Sequence, residues 1–228
     1  MPVRRTRLWL VHPETHLVDS LPLLVWRPAA PLRSISSGPL GGGIGLRHWV
    51  INATVDPDYG RMDPDSHLGE LAQQLGLQGS GVGLLTAVDV RRAVTVEHEG
   101  VTATATTGVG HPNWAAVAAL DRPPLPYRPG TINVVLHCPA SFTDAALVAM
   151  VGTVTEAKTQ ALLAYGIAGT GTATDTVTVQ CPLEGPREGF GGTRSEWGAR
   201  AASAVFSAVH AGLVEDRARA SRHETFRP

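Results

Sequence analysis

The sequence predicts an α+β fold: a single layered domain with mixed sheets packed against helices, for which an αββα-type sandwich is one arrangement. Three observations carry that expectation. The first half breaks into short strand-like runs separated by glycine and proline. The second half holds a long run, 143–165, with apolar residues at helical spacing, flanked by two apolar strand-like runs that each end in Cys-Pro. A further helical run at 195–214 can cover a sheet. With 228 residues, 43% apolar and 17% charged, the chain can bury one full core. Residues 1–214 are therefore read as one domain, and 215–228 as a charged tail that frays.

Strand-like runs lie at 7–11, 21–26, 32–36, 46–55, 82–86, 93–98 and 101–107. Glu99-Gly100 reads as a hairpin turn, with Thr102, Thr104 and Thr106 on one face of the second strand and Val101, Ala103 and Ala105 on the other. A helix is expected over 65–75, with Pro64 near its start and Gly76 closing it. The proline-dense 122–129 reads as a stiff connector. Behind it come strand 131–138, helix 143–165, strand 175–181, a glycine-rich loop and helix 195–214. Since proline cannot donate to a ladder, the two Cys-Pro pairs mark strand ends, and the strands are expected to be neighbours flanking one helix.

Composition narrows the function classes. A net charge of −1 with scattered arginines gives no footprint for nucleic acid or an acidic membrane. The apolar run Leu8 to Val11 is too short for a signal peptide or a span, and two cysteines in apolar strands do not make a secreted disulfide framework. A cytoplasmic location is expected. Cys138 and Cys181 make weak evidence for a metal site, and Pro13 argues against a helical zinc pair at His12 and His16. No GxSxG, HExxH or GxGxxG signature stands in the right context.

Lys158 is the only lysine against eighteen arginines, and it falls on the apolar stripe formed by Leu147, Val151, Val154, Ala161 and Leu162. An ammonium there must snorkel to water, pair with an anion or do chemistry. Asp175, heading the next strand, can pair with it. Thr131, heading the preceding strand, offers a hydroxyl that a neighbouring amine can activate. These three form one candidate catalytic cluster. Glu156 is a weaker carboxylate, because it projects about 160° away from Lys158 on the helix. The turn that starts at Thr107-Gly108 can present amides to an oxyanion. The 169–176 loop can hold polar groups through its amides and its threonines, Thr172 and Thr174 included. No Gly-Lys-Ser/Thr follows that loop, so it is not a phosphate loop.

Taken together, Gly41-Gly42-Gly43, the run Trp49 to Asn52, the run Val82 to Thr86, Gly130-Thr131-Ile132-Asn133, Thr155-Glu156-Ala157-Lys158 and the 170–176 loop resemble the adenosylcobinamide amidohydrolase family. The Gly-Thr-Ile-Asn and Thr-Glu-Ala-Lys blocks are the specific part. Ala173 and His111 depart from the family pattern. The resemblance implies cleavage of the amide joining cobyric acid to the aminopropanol arm of adenosylcobinamide, a corrinoid-salvage step toward cobalamin. For that reaction the candidate catalytic residues are Thr131, Lys158, Asp175 and Glu156, with Asn52, Thr107, Gly108, Asn133, Thr172 and Thr174 expected around the substrate. The resemblance implies a corrinoid small molecule as partner and no cofactor or metal of the protein's own, the cobalt being part of the substrate. A homo-oligomer is left open. A weaker likeness in architecture, to the ornithine acetyltransferase and DmpA-type aminopeptidase fold, implies self-cleavage between Gly130 and Thr131. A non-catalytic corrinoid-binding protein is the other alternative.

Overall fold

Two sheets lie face to face in a computed structural model that describes residues 11–116 and 130–224. The smaller sheet has the order β1-β2-β5-β6, from β1 (Glu14–Val18), β2 (Leu21–Trp26), β5 (Trp49–Thr54) and β6 (Gly81–Thr86). The larger has the order β4-β3-β11-β9-β8-β7, from β3 (Leu32–Ser36), β4 (Gly43–Arg47), β7 (Val94–His98), β8 (Val101–Thr107), β9 (Ile132–His137) and β11 (Thr176–Cys181). Two short strands, β10 (Ser141–Phe142) and β12 (Arg187–Glu188), pair in parallel beside it. The helices are α1 (Pro64–Gln74), α2 (Asp144–Ala164) and α3 (Glu196–Glu224).

Strand alternation explains the layers. Leu23 and Val25 of β2, with Trp49, Ile51 and Ala53 of β5, face Leu68, Leu71 and Ala72 of α1. Their neighbours Leu24, Trp26 and Val50 point the other way and meet Val135 between the sheets. On the far face of the large sheet, Ala103, Ala105, Ile132, Val134, Val177 and Val179 pack under α2 and α3. The order is helix, sheet, sheet, helices: the αββα sandwich. Among the described residues no helix is long and apolar enough to cross a membrane.

Each sheet has one parallel pair joined by a helix, β5–α1–β6 and β9–α2–β11. The second is the pair announced by the two Cys-Pro ends. The hairpin at Glu99-Gly100 forms as expected, with φ values of 47° and 85°. The helix expected over 65–75 is α1, and Gly76 follows it at φ 64°.

Three expectations need correction. The run 46–55 is not one strand: it breaks at His48, where β4 leaves the large sheet and β5 enters the small one. β1 went unseen because it is an exposed edge strand with little apolar alternation, turned by Asp19 and Ser20 at positive φ. The helix expected to stop at 214 runs on to Glu224, since its Ala, Glu and Arg residues are good helix formers. The strand expected at 7–11, apart from its last residue, and the connector at 122–129 lie outside the described residues.

Candidate active site

α2 positions the lysine. The Thr143 side chain caps the helix by accepting from the Ala146 amide at 3.2 Å, and Gly166 at φ 86° follows the last turn. Between them Leu147, Val154, Ala161 and Leu162 are fully buried, which draws Lys158 in with them. Its side chain is 9% exposed and that of Asp175 is 10% exposed; Nζ donates to Oδ2 at 2.5 Å.

Asp175 holds more than the lysine. Oδ1 accepts from the Ile132 amide at 2.9 Å and from the Thr172 hydroxyl at 2.6 Å, while Oδ2 also accepts from the Thr172 amide at 3.0 Å. A carboxylate has about four acceptor directions, and all are used here. Such saturation offsets part of the desolvation cost of burying the pair. Gly171 permits the arrangement: a Cβ there would sit 2.3 Å from Asp175 Oδ2 and 2.5 Å from Lys158 Nζ.

Thr131, the other member of the cluster, is tied to the same knot one step away. Asp175 grips the amide of Ile132, and the Thr131 hydroxyl meets the Thr174 hydroxyl at 2.7 Å, not the Lys158 amine. Thr174 Oγ1 also lies 3.4 Å from the Gly130 carbonyl oxygen. Thr131, Thr174 and Asp175 line a cleft of about 580 Å³, together with Tyr59, Arg61 and Leu85.

The other sequence-based candidates divide. Thr172 and Thr174 are in the cluster, but as ligands of Asp175 and Thr131. Asn52 and Asn133 are buried between the sheets: Asn133 Nδ2 donates to Asn52 Oδ1 at 2.8 Å and to the Leu85 carbonyl at 2.9 Å, Thr176 donates to Asn133 Oδ1 at 2.7 Å, and Asn52 donates to Thr106 at 3.1 Å. This chain ties the sheets together directly behind the cleft. Thr107 turns its hydroxyl toward α3, 2.6 Å from where a Cβ on Gly212 would be. The Gly108 amide donates to the Thr131 carbonyl at 3.0 Å. Glu156 is exposed and away from the cluster.

Further along the same turn are two amides that sequence reasoning placed too early. Those of Gly110 and His111 come within 3.3 and 3.4 Å of the point a Cβ on Gly130 would occupy, beside the Gly108 carbonyl oxygen at 3.1 Å, and among the described residues they donate to no acceptor. Gly130 leaves that approach open. The cysteines stand elsewhere: burial pushes the Cys138 thiol up to about 12 and raises that of Cys181. Among the described residues no group of three or more His, Cys, Asp or Glu is placed to hold a metal.

Comparison with known proteins gives the family. Residues 11–221 match the family model described as adenosylcobinamide amidohydrolase. A curated protein of that name from Methanosarcina mazei is 31% identical over 189 residues, covering 79% of this chain and 89% of the relative. Another from Halobacterium salinarum is 35% identical over 200 residues, covering 81% and 82%. Among solved structures, the PH0078 protein from Pyrococcus horikoshii OT3 aligns over 90% of this chain and 84% of its own, with a TM-score of 0.48 and 13% identity.

Proposed function

Because the chain belongs to the adenosylcobinamide amidohydrolase family, we propose that it cleaves the amide between the corrin acyl arm and aminopropanol in adenosylcobinamide, releasing adenosylcobyric acid. The observation that carries the assignment of the site is the saturated Lys158–Asp175 pair, whose aspartate lines the cleft together with the Thr131 hydroxyl. A buried ion pair is seldom the cheapest way to fill a core, so its presence at a cleft points to chemistry.

The Thr131 hydroxyl, or a water that it orients, attacks the amide carbon. The C–N bond breaks and the nitrogen leaves as aminopropanol, carrying the proton relayed from the attacking hydroxyl or water. Where Thr131 itself attacks, water then cleaves the acyl-threonine ester, giving the acid and restoring the hydroxyl. The Gly110 and His111 amides receive the charge that develops on the carbonyl oxygen. Lys158 and Asp175 act by position: the carboxylate fixes the start of β9, and the ammonium fixes the carboxylate. Thr174 relays the Thr131 proton. The scheme uses no metal of the protein's own.

The test is incubation of purified protein with adenosylcobinamide and detection of adenosylcobyric acid. Loss of product in Thr131→Ala and Lys158→Ala, with folding intact, supports the roles; full activity in both rejects them. One observation favours a second reading. Thr174 Oγ1, 2.7 Å from Thr131 Oγ1 and 3.4 Å from the Gly130 oxygen, is placed to assist Thr131 in attacking its own preceding carbonyl. Intact mass decides that: two fragments divided at Gly130-Thr131 support self-cleavage, and a single 24.0 kDa chain rules it out.

A further inference from the structure

Lining the same cleft as Thr131, the segment 55–64 is the loop after β5 with the first residue of α1, and its side chains are fastened at several points. The Tyr59 amide donates to the Asp56 carbonyl at 2.9 Å, and the Asp58 amide to Asp56 Oδ1 at 2.8 Å. The Tyr59 ring stacks on His67 of α1 with centroids 5.4 Å apart, and its hydroxyl lies 3.0 Å from His67 Nδ1. Arg61 is held by both oxygens of Asp63 and both of Glu70, at 2.7 to 3.0 Å. Desolvation, reinforced by the Arg61 charge, lowers the His67 pKa.

Tyr59 and Arg61 both line the cleft, together with Pro39 and Pro64. A tyrosine stacked on a helix and hydrogen-bonded at its tip presents a flat, rigid surface that loses little entropy when something docks on it. The cleft, at about 580 Å³, can admit an amide-bearing arm but not a whole corrinoid. With the scissile amide at the buried Thr131, the macrocycle must therefore rest toward solvent, the side on which the half-buried Tyr59 and the exposed Arg61 lie.

On the reading of the site given above, we infer that the 55–64 wall is the docking surface for the corrin ring, with Tyr59 the principal contact and His67 and Arg61 its fixing points. The wall recognises the ring and is indifferent to the aminopropanol arm.

The experiment is equilibrium binding, followed by corrin visible absorbance, of adenosylcobinamide and of adenosylcobyric acid, which has the ring without the arm. In Tyr59→Ala both dissociation constants rise by the same factor, roughly tenfold, while Tyr59→Phe stays within about threefold of the native protein. In turnover the effect falls on KM and not on kcat. Unchanged binding in Tyr59→Ala overturns the inference, as does weakening for adenosylcobinamide alone, which would mean the wall reads the arm. A variant that binds neither ligand and also unfolds early on heating is replaced by His67→Ala, which removes the ring stacked on Tyr59 while retaining Tyr59 and should weaken both ligands alike. If the native protein binds both but releases no cobyric acid, the proposed hydrolysis fails and the docking wall still stands.

Discussion

The two parallel strand pairs, β5–α1–β6 and β9–α2–β11, put opposite ends into the cleft. Val55, Thr86 and Ala87 line it just where β5 and β6 finish, whereas Thr131 and Thr176 line it where β9 and β11 begin. Ligands of parallel sheets usually sit at the carboxyl ends of strands, and the first unit obeys that habit by supplying a wall. The second reverses it, and the reversal is useful. At the entry of β9 and β11 one aspartate can reach the backbone of the neighbouring strand, the loop before its own strand and the last turns of the crossover helix at once. The helices differ accordingly: α1 buries only Leu68, Leu71 and Ala72, while the buried stripe of α2 includes a lysine.

The sharpest way to break this division is Lys158→Ala. Asp175 is then left buried without its cation, a class of change that costs about 3–5 kcal/mol. With the carboxylate no longer fixed, hydrolysis should fall at least a hundredfold, roughly the loss seen when a preorganised polar group is removed. Denaturant unfolding and cobyric acid release measure the two effects. A variant of normal stability and activity would mean that β9–α2–β11 is scaffold like its counterpart.

Next in size is a pH effect at the far end of β9. Burial depresses the His137 imidazole from 6.5 to about 4, against no charged group of the cleft. Between those values the unfolded chain takes up a proton that the folded one refuses. The contribution is fully present above pH 6.5, is lost as the pH falls toward 4, and changes no further below, an amount of about 3 kcal/mol. Unfolding free energies measured across that range should show the decline, and His137→Gln should flatten it. A flat native profile would put the imidazole in contact with water.

Much of this division can be read in the residues themselves. Lys158 announces itself by falling on an apolar stripe, and a strand–helix–strand reading brings Thr131 and Asp175 to the same edge because parallel neighbours start together. What sequence spacing does not reveal is which polar group each partner takes. Asn52 and Asn133 look like substrate ligands until the two sheets face each other and their amides meet. Gly108 looks like an oxyanion donor until ladder pairing takes its amide and leaves those of Gly110 and His111. The Tyr59 wall is harder still, since nothing in Asp-Tyr-Gly-Arg-Met-Asp tells that Arg61 will find Glu70 nine residues on. One signal was available: Gly171 sits among threonines where only a residue without a side chain lets Lys158 and Asp175 touch.

The tie between the units is the third place to press. Asn52→Ala removes the acceptor of Asn133 and the donor to Thr106, leaving a buried amide hydrogen unsatisfied, for about 1–3 kcal/mol. Because the tie lies behind Thr176 and Leu85, the cleft walls should also lose their mutual register, so kcat falls together with stability. Asn52→Asp keeps the acceptor but brings a buried charge, and it should be worse than alanine at neutral pH. If Asn52→Ala loses stability with kcat intact, the two halves position their cleft residues independently.

The smallest effect belongs to Gly83, in β6 of the first unit. A Cβ there would meet three carbons of Leu68 at 2.9 Å, so Gly83→Ala pushes α1 off its sheet by a few tenths of an ångström. Overpacking of this kind costs about 1–3 kcal/mol, because the buried Leu68 Cβ can yield only with the backbone of α1. Gly171→Ala in the second unit also adds one methyl, but against the ions of the active pair. The comparison between the two variants isolates location from chemistry. Gly83→Ala should lower the unfolding midpoint and leave hydrolysis within about twofold, since α1 touches the cleft only through Pro64 and through the Tyr59 and Arg61 wall that it anchors. Gly171→Ala should abolish turnover whatever its melting temperature. Equal losses of activity in both would mean that the first unit does more than form a wall, and that the polarity between the two crossovers has no functional content.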